Sequence, residues 1–266
     1  MFFLLPLYDD NPTTRAPIVT CALIAICCLV FLWQLGQNAH VVDYSYGFVP
    51  AVLFHTARLP QALAVLPPWA TIFTSMFLHG GWLHIGGNML FLWIFGNNIE
   101  DVLGHFRYLL LYLVSGVVAA LCQALADPGS TLPMIGASGA IAGVLGAYLL
   151  LYPQANVHVL VLIVILLRIV TVPAWILLGL WFAAQLLSGL LSGSGGGVAF
   201  WAHVGGFATG IALLFAVRPR GIVFWQPPRS AAFAAAPPRA FSGRRTFHGS
   251  VPESGRAYRP RRGPWD

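Results

Sequence analysis

The chain has 266 residues, 58% of them hydrophobic and only 8% charged. Soluble domains carry about 25% charged residues, so a chain this apolar cannot clothe itself in polar surface and needs lipid as its solvent. Lysine is absent, all 14 basic residues are arginine, and ten of these lie at or after Arg218. The net charge of +6 therefore reads as a basic tail on a membrane core, which argues against nucleic acid as a partner.

Residues 1–17 begin apolar, then carry Asp9, Asp10 and a late Arg15. That is not the order of a signal peptide, and the segment is expected to be a cytoplasmic leader lying at the membrane surface. A bilayer-spanning helix needs about 20 mostly apolar residues. Six segments qualify: 18–35, 76–97, 108–125, 137–152, 173–191 and 201–217. A long first external loop, residues 36–74, separates the first two. Cys21, Cys27, Cys28 and Cys122 all sit in apolar runs without metal-ligand spacing and read as small buried hydrophobes. Residues 157–170 are apolar but too short to cross as a helix, with Arg168 near their end. They are expected to be an interfacial segment on the cytoplasmic side. The tail, residues 218–266, is rich in Pro, Arg, Ala and Ser and is expected to be disordered. The fold class is thus an all-α membrane protein: a six-helix membrane domain over 18–217 between a leader and a basic tail.

Arginine fixes the expected orientation, because cytoplasmic flanks carry it in excess. With the N-terminus inside, Arg15, Arg107, Arg168, Arg218 and Arg220 fall inside and only Arg58 falls outside. Both termini are then cytoplasmic, in what is expected to be the cell (inner) membrane of a prokaryote.

Polar groups within lipid are costly and usually functional. Three patches stand out. His84 and Asn88 lie four residues apart on one face of the second span, with His79 just before them. Gly136-Ala137-Ser138-Gly139 opens the fourth span. Ala202-His203-Val204-Gly205-Gly206 opens the sixth. Spans two, four and six run in the same direction, so these residues meet at one depth beneath the outer surface. Gly139/Gly143 and Gly206/Gly210 are small-xxx-small pairs that let two helix backbones approach closely. Ser138 is the candidate nucleophile and His203 its base. The Ser138 N–H, Asn88 and His84 are candidate oxyanion donors. No Asp or Glu lies in the outer halves of these spans, which predicts a dyad. Gln185 is a lone amide in the fifth span, read as a helix–helix hydrogen bond in a helix that could gate substrate access. Glu100 reads as a helix-end group, and Trp69, Trp82 and Trp201 as interfacial belt residues.

These motifs, in this order, resemble the rhomboid intramembrane proteases. Gly80-Gly81-Trp82-Leu83-His84 and Gly96-Asn97-Asn98-Ile99-Glu100-Asp101 add to the likeness, which covers about 68–217. The resemblance implies a six-helix bundle without metal or other cofactor, cleaving single-pass transmembrane proteins near the outer surface. It leaves His79, Gly136 and Trp201 as substrate-contacting or loop-anchoring candidates. Many members carry an aromatic residue four positions after the serine, stacked on the histidine; here that position is Ala142. Rival readings are a silent rhomboid-like protein that binds transmembrane clients, and a small polar-pathway transporter. A metalloprotease is disfavoured because there is no His-Glu-x-x-His. A Gly-x-Ser-x-Gly elbow fails at Ala140.

Overall fold

The computed structural model describes residues 2–163, 166–191 and 199–228. Its helices are α1 (Ile18–Leu35), α2 (Ala39–Tyr46), α3 (Pro50–Leu53), α4 (Pro68–Thr74), α5 (Trp82–Leu103), α6 (His105–Ala126), α7 (Ser138–Leu151), α8 (Ala174–Leu191) and α9 (Phe200–Val217). Four of them, α1, α6, α8 and α9, are long and apolar enough to cross a membrane. Leu29 and Leu32 on α1, and Leu180, Leu187 and Leu190 on α8, are exposed. Such outward apolar faces are stable only against lipid, and the protein is a multi-pass integral membrane protein.

The helix where the second span is expected, α5, is displaced and is not among those four. It begins at Trp82, not near 76, because the chain is extended through Gly81 (φ 157°). It runs on to Leu103 because its polar end is satisfied. Glu100, fully buried, accepts from the Val19 and Thr20 N–H groups at 2.7 and 2.8 Å and from the Thr20 hydroxyl at 2.7 Å. A carboxylate on the first N–H groups of α1 answers donors that have no partner within the helix. Asp101 accepts from Thr14 and Arg15 N–H at 3.1 and 2.7 Å.

The all-α expectation needs correcting. Strands β1 (Phe2–Asp9), β2 (Asn156–Ile163) and β3 (Leu166–Pro173) form an antiparallel sheet in the order β1-β2-β3. The leader is therefore a strand, and the segment expected at the interface is most of a hairpin. Val157 and Val159 are fully buried while His158 and Leu160 point the other way, the period-two alternation of a half-buried strand. Pro6, which cannot donate to a ladder, sits on the edge strand β1. The sheet docks through Asp9, whose carboxylate accepts from the Tyr148 hydroxyl at 2.6 Å and the Asn98 amide at 2.9 Å. Burial pushes this carboxyl up to about 6.

The tail also begins later than expected. Trp225 and Gln226 donate their N–H groups to the Leu150 and Leu151 carbonyls at the end of α7, at 3.1 and 2.8 Å, and Ile222 and Gln226 are buried. The remainder of the expected disordered tail, 229–266, lies outside the described residues. In the first loop, the turn between α2 and α3 is joined to the approach of α7 by the Phe48–Met134 bridge, and the Thr74 hydroxyl at the end of α4 donates to the Tyr46 carbonyl at 2.6 Å.

Helix α7, only 14 residues long, is buried from Gly139 through Tyr148. Its glycines make this possible. A Cβ at Gly206 would overlap the Gly139 carbonyl oxygen, one at Gly210 the Gly143 carbonyl, and one at Gly146 the Phe207 carbonyl. On another face, Gly139 meets the Ala119 methyl and Gly143 meets Ser115 of α6. The small-residue seam is thus a backbone-to-backbone contact of α7 with α9.

Candidate active site

Ser138 is the first residue of α7, and the turn that delivers it requires glycine. Gly136 has φ +127°, which L side chains rarely adopt. A Cβ there would stand 2.7 Å from His84 Nε2. The Gly136 N–H donates to the Ser75 carbonyl at 2.8 Å. The first N–H groups of α7 have no acceptor within the helix and face where the chain enters it.

His203 lies in the first turn of α9. Its Nε2 is 2.8 Å from Ser138 Oγ and its Nδ1 is 2.7 Å from Gln185 Oε1 on α8. The Trp181 ring, one turn before Gln185, flanks the imidazole with centroids 5.8 Å apart and planes tilted by 39°. His84 Nδ1 accepts the Gly80 N–H at 3.2 Å, so its proton resides on Nε2, the atom nearest Gly136. Asn88 follows one turn later, and its Nδ2 is buried without a partner among the described residues. Ser138, His203, His84, Asn88, Gly136 and Trp181 all line one cleft of about 630 Å³.

His79 and Trp201 stand apart from that lining. His79 is buried behind His84, edge to face at 5.2 Å. Its backbone exchanges hydrogen bonds with the Gln34 side chain, at 3.0 and 3.4 Å. That geometry anchors the end of α1 to the loop before α5. Trp201 packs toward Gly189 of α8. Sequence reasoning missed Trp181, because an aromatic residue in an apolar helix gives no sign of which face it occupies. It noticed Gln185 without assigning its partner. No cluster of three or more His, Cys, Asp or Glu suited to a metal ion occurs among the described residues.

The fold and the site together define a polytopic helical membrane protein with a hydrogen-bonded Ser–His pair at the head of two glycine-packed helices. The rhomboid domain profile matches residues 67–220, more than half the chain. The protein belongs to the rhomboid family. It is 32% identical over 173 residues to RHOMBOID-like protein 1 of Arabidopsis thaliana, covering 62% of this chain and 39% of that one. It is 37% identical over 91 residues to Rhomboid protein 1, mitochondrial, of Saccharomyces cerevisiae, covering 33% and 26%. It is 40% identical over 81 residues to Rhomboid protease GluP of Bacillus subtilis (strain 168), covering 30% and 15%. The chain spans well under half the length of each of these relatives.

Proposed function

We propose that this protein is an intramembrane serine endopeptidase that uses Ser138 as nucleophile and His203 as general base. The observation that carries the reading is the 2.8 Å hydrogen bond between Ser138 Oγ and His203 Nε2, lining a cleft within an apolar helical bundle. A serine hydroxyl is a weak nucleophile until a base takes its proton. His203 Nε2 accepts that proton as Oγ attacks the scissile carbonyl carbon, and the carbonyl oxygen becomes an oxyanion. Preformed donors stabilise such charge best in a dry site. Three are available: the Ser138 N–H at the helix N-terminus, the protonated Nε2 of His84, and the unpartnered Nδ2 of Asn88. The imidazolium then protonates the departing amine, leaving an acyl-serine that water hydrolyses by the same proton path in reverse.

The substrates are single-pass membrane proteins cut near the outer surface, since both dyad residues lie at the outer ends of their helices under the arginine-based orientation. That orientation requires six spans, α1, α5, α6, α7, α8 and α9, with both termini cytoplasmic, and fits the inner membrane of a prokaryote. The test is cleavage of a model transmembrane substrate in proteoliposomes by the wild type, Ser138→Ala and His203→Ala. Both variants lose cleavage, and a fluorophosphonate probe labels Ser138 only when His203 is present. Equal cleavage by all three proteins overturns the reading.

A further inference from the structure

We propose that Gln185 is a positioning residue: its side-chain oxygen holds His203 in the one tautomer and ring orientation in which Nε2 can act as base. This rests on the Ser138–His203 reading above and deepens it.

A neutral imidazole carries one proton on one of two nitrogens. If Ser138 Oγ–H donates to Nε2, Nδ1 must bear the hydrogen, and a buried N–H needs an acceptor. Gln185 Oε1 supplies it at 2.7 Å. Turning the amide over would present an N–H to Nδ1, force the imidazole hydrogen onto Nε2 and remove the lone pair that Ser138 needs. The acceptor end of this amide therefore decides whether the pair is competent.

Orientation is fixed by the same contact. His203 is tied at both nitrogens, to α7 through Ser138 and to α8 through Gln185. Trp181 limits ring rotation from the side, where the α7 position one turn past the serine is only Ala142. An orienting carboxylate would carry a charge into an apolar bundle at high cost, whereas a hydrogen-bonded amide orients at a smaller one. Its dipole also steadies the transient imidazolium only modestly, so a smaller effect is expected than from a triad acid, whose replacement by an amide costs about 10⁴ in kcat by enforcing the wrong tautomer.

The contact is also the one side-chain hydrogen bond that α8 makes to another element among the described residues. Beyond the Ala174 and Trp175 N–H groups, which donate to the Ala155 and Pro153 carbonyls at its start, α8 is held by apolar packing, such as Phe182 stacked on Phe207 at 4.5 Å, and few of its side chains are buried. The docked position of α8 and the competence of the base are thereby linked through one amide.

The test uses the full chain and compares Gln185→Met, similar in length but with no oxygen, with Gln185→Glu, which keeps an oxygen facing Nδ1. Gln185→Met is expected to lower kcat by about 10- to 100-fold, the scale of a small misplacement of a catalytic group, with KM changed less than about twofold. It slows fluorophosphonate labelling of Ser138 by the same factor, a readout independent of how a transmembrane substrate reaches the cleft. Gln185→Glu is expected to keep kcat within a few-fold of the wild type, the cost of its buried charge appearing instead as a lowered midpoint of thermal unfolding. ¹⁵N-histidine NMR of the wild type is expected to show His203 protonated on Nδ1. Wild-type kcat in Gln185→Met, equal impairment in both variants, or a wild-type His203 protonated on Nε2 would each overturn the proposal. The NMR result decides the matter even if Gln185→Met fails to fold. Cleavage by Ser138→Ala would instead sink the protease reading itself, so the two failures are distinct.

Discussion

The seam between α7 and α9 makes a quantitative demand on residue 206. In Gly206→Ala the new methyl group would overlap the Gly139 carbonyl oxygen and lie 3.0 Å from its carbon. Carbon atoms pack best at about 3.5–4.0 Å, and the overlapped oxygen needs still more room, so α9 must retreat from α7 by on the order of 1 Å. Ser138 immediately precedes Gly139, and His203 lies one turn before Gly206. Their 2.8 Å hydrogen bond would open to nearly 4 Å, beyond the roughly 3.0 Å reach of an O–H donor. Overpacking of this kind costs about 1–3 kcal/mol. Misplacing reacting groups by about 1 Å costs on the order of 10²-fold in rate. Gly206→Ala is therefore expected to fold with a lowered midpoint of thermal unfolding in detergent and to lose about 99% of its cleavage of a transmembrane substrate. Gly179→Ala on α8 is the control, because a Cβ there meets nothing within 4 Å, and it should match the wild type in both measurements. Wild-type turnover in Gly206→Ala would refute the claim that the seam sets the distance of the Ser–His pair.

Other positions give sharp expectations. Gly136→Ala must place a side chain at φ +127° and against His84 Nε2; it should lose activity by about 10²-fold or more, read as kcat in the same cleavage assay, with a smaller fall in thermal stability. Glu100→Ala leaves the Val19 and Thr20 donors without their acceptor, each worth about 1–3 kcal/mol when buried, and a marked drop in unfolding midpoint is expected. The carboxyl of Asp9 is raised by burial from 3.8 to about 6. The folded protein thus holds a proton that the unfolded chain releases first. The stability this gives is full below pH 4 and is lost as pH rises through 6, a span of about 3 kcal/mol at about 1.4 kcal/mol per unit. Asp9→Asn lacks this dependence, so its stability relative to the wild type should climb between pH 4 and pH 7.5 in denaturant titrations. A pH-independent difference would refute the assignment.

Why some features were legible in the sequence and others were not follows from the solvent. Ser138, His203, His84 and Asn88 were visible because a polar side chain in an apolar run has few reasons to be there. The glycines beside them were visible because their four-residue spacing marks one helix face. The sheet was hidden for the converse reason. Within residues 157–170 only His158 and Arg168 are polar, too few to set a period, and periodicity alone does not separate a buried strand from a helix. Glu100 read only as a helix-end group, and Asn98 and Asp101 only as parts of a motif, because their partners Asp9, Thr20, Thr14 and Arg15 lie more than 75 residues away in sequence. Gln185 was seen but not paired, since the rotation of α8 about its axis is set by contacts with α9 that no local pattern reports. Residues 219–228 have the composition of a disordered tail, yet they supply the N–H groups that end α7.

The two ends of α7 differ in how they treat charges and donors, and the contrast bears on mechanism, although the acceptor Asn11 Oδ1 beside Tyr148 is itself buried without a partner among the described residues. At the Tyr148 end every carboxylate is answered: Asp9 by Tyr148 and Asn98, Glu100 by the start of α1 and by His105, Asp101 by Thr14 and Arg15. At the Ser138 end donors are left open: Asn88 Nδ2 has no partner among the described residues, and the first N–H groups of the helix point away from it. An unsatisfied buried donor costs about 1–3 kcal/mol, so such groups persist only where the rest of the fold offsets the strain. Fourteen residues of glycine-packed helix connect the two ends rigidly, and the satisfied end holds α1, α5 and α7 in register. Donors held open by a rigid scaffold need no reorganisation when negative charge develops beside them, the condition under which hydrogen bonds favour a transition state over its ground state.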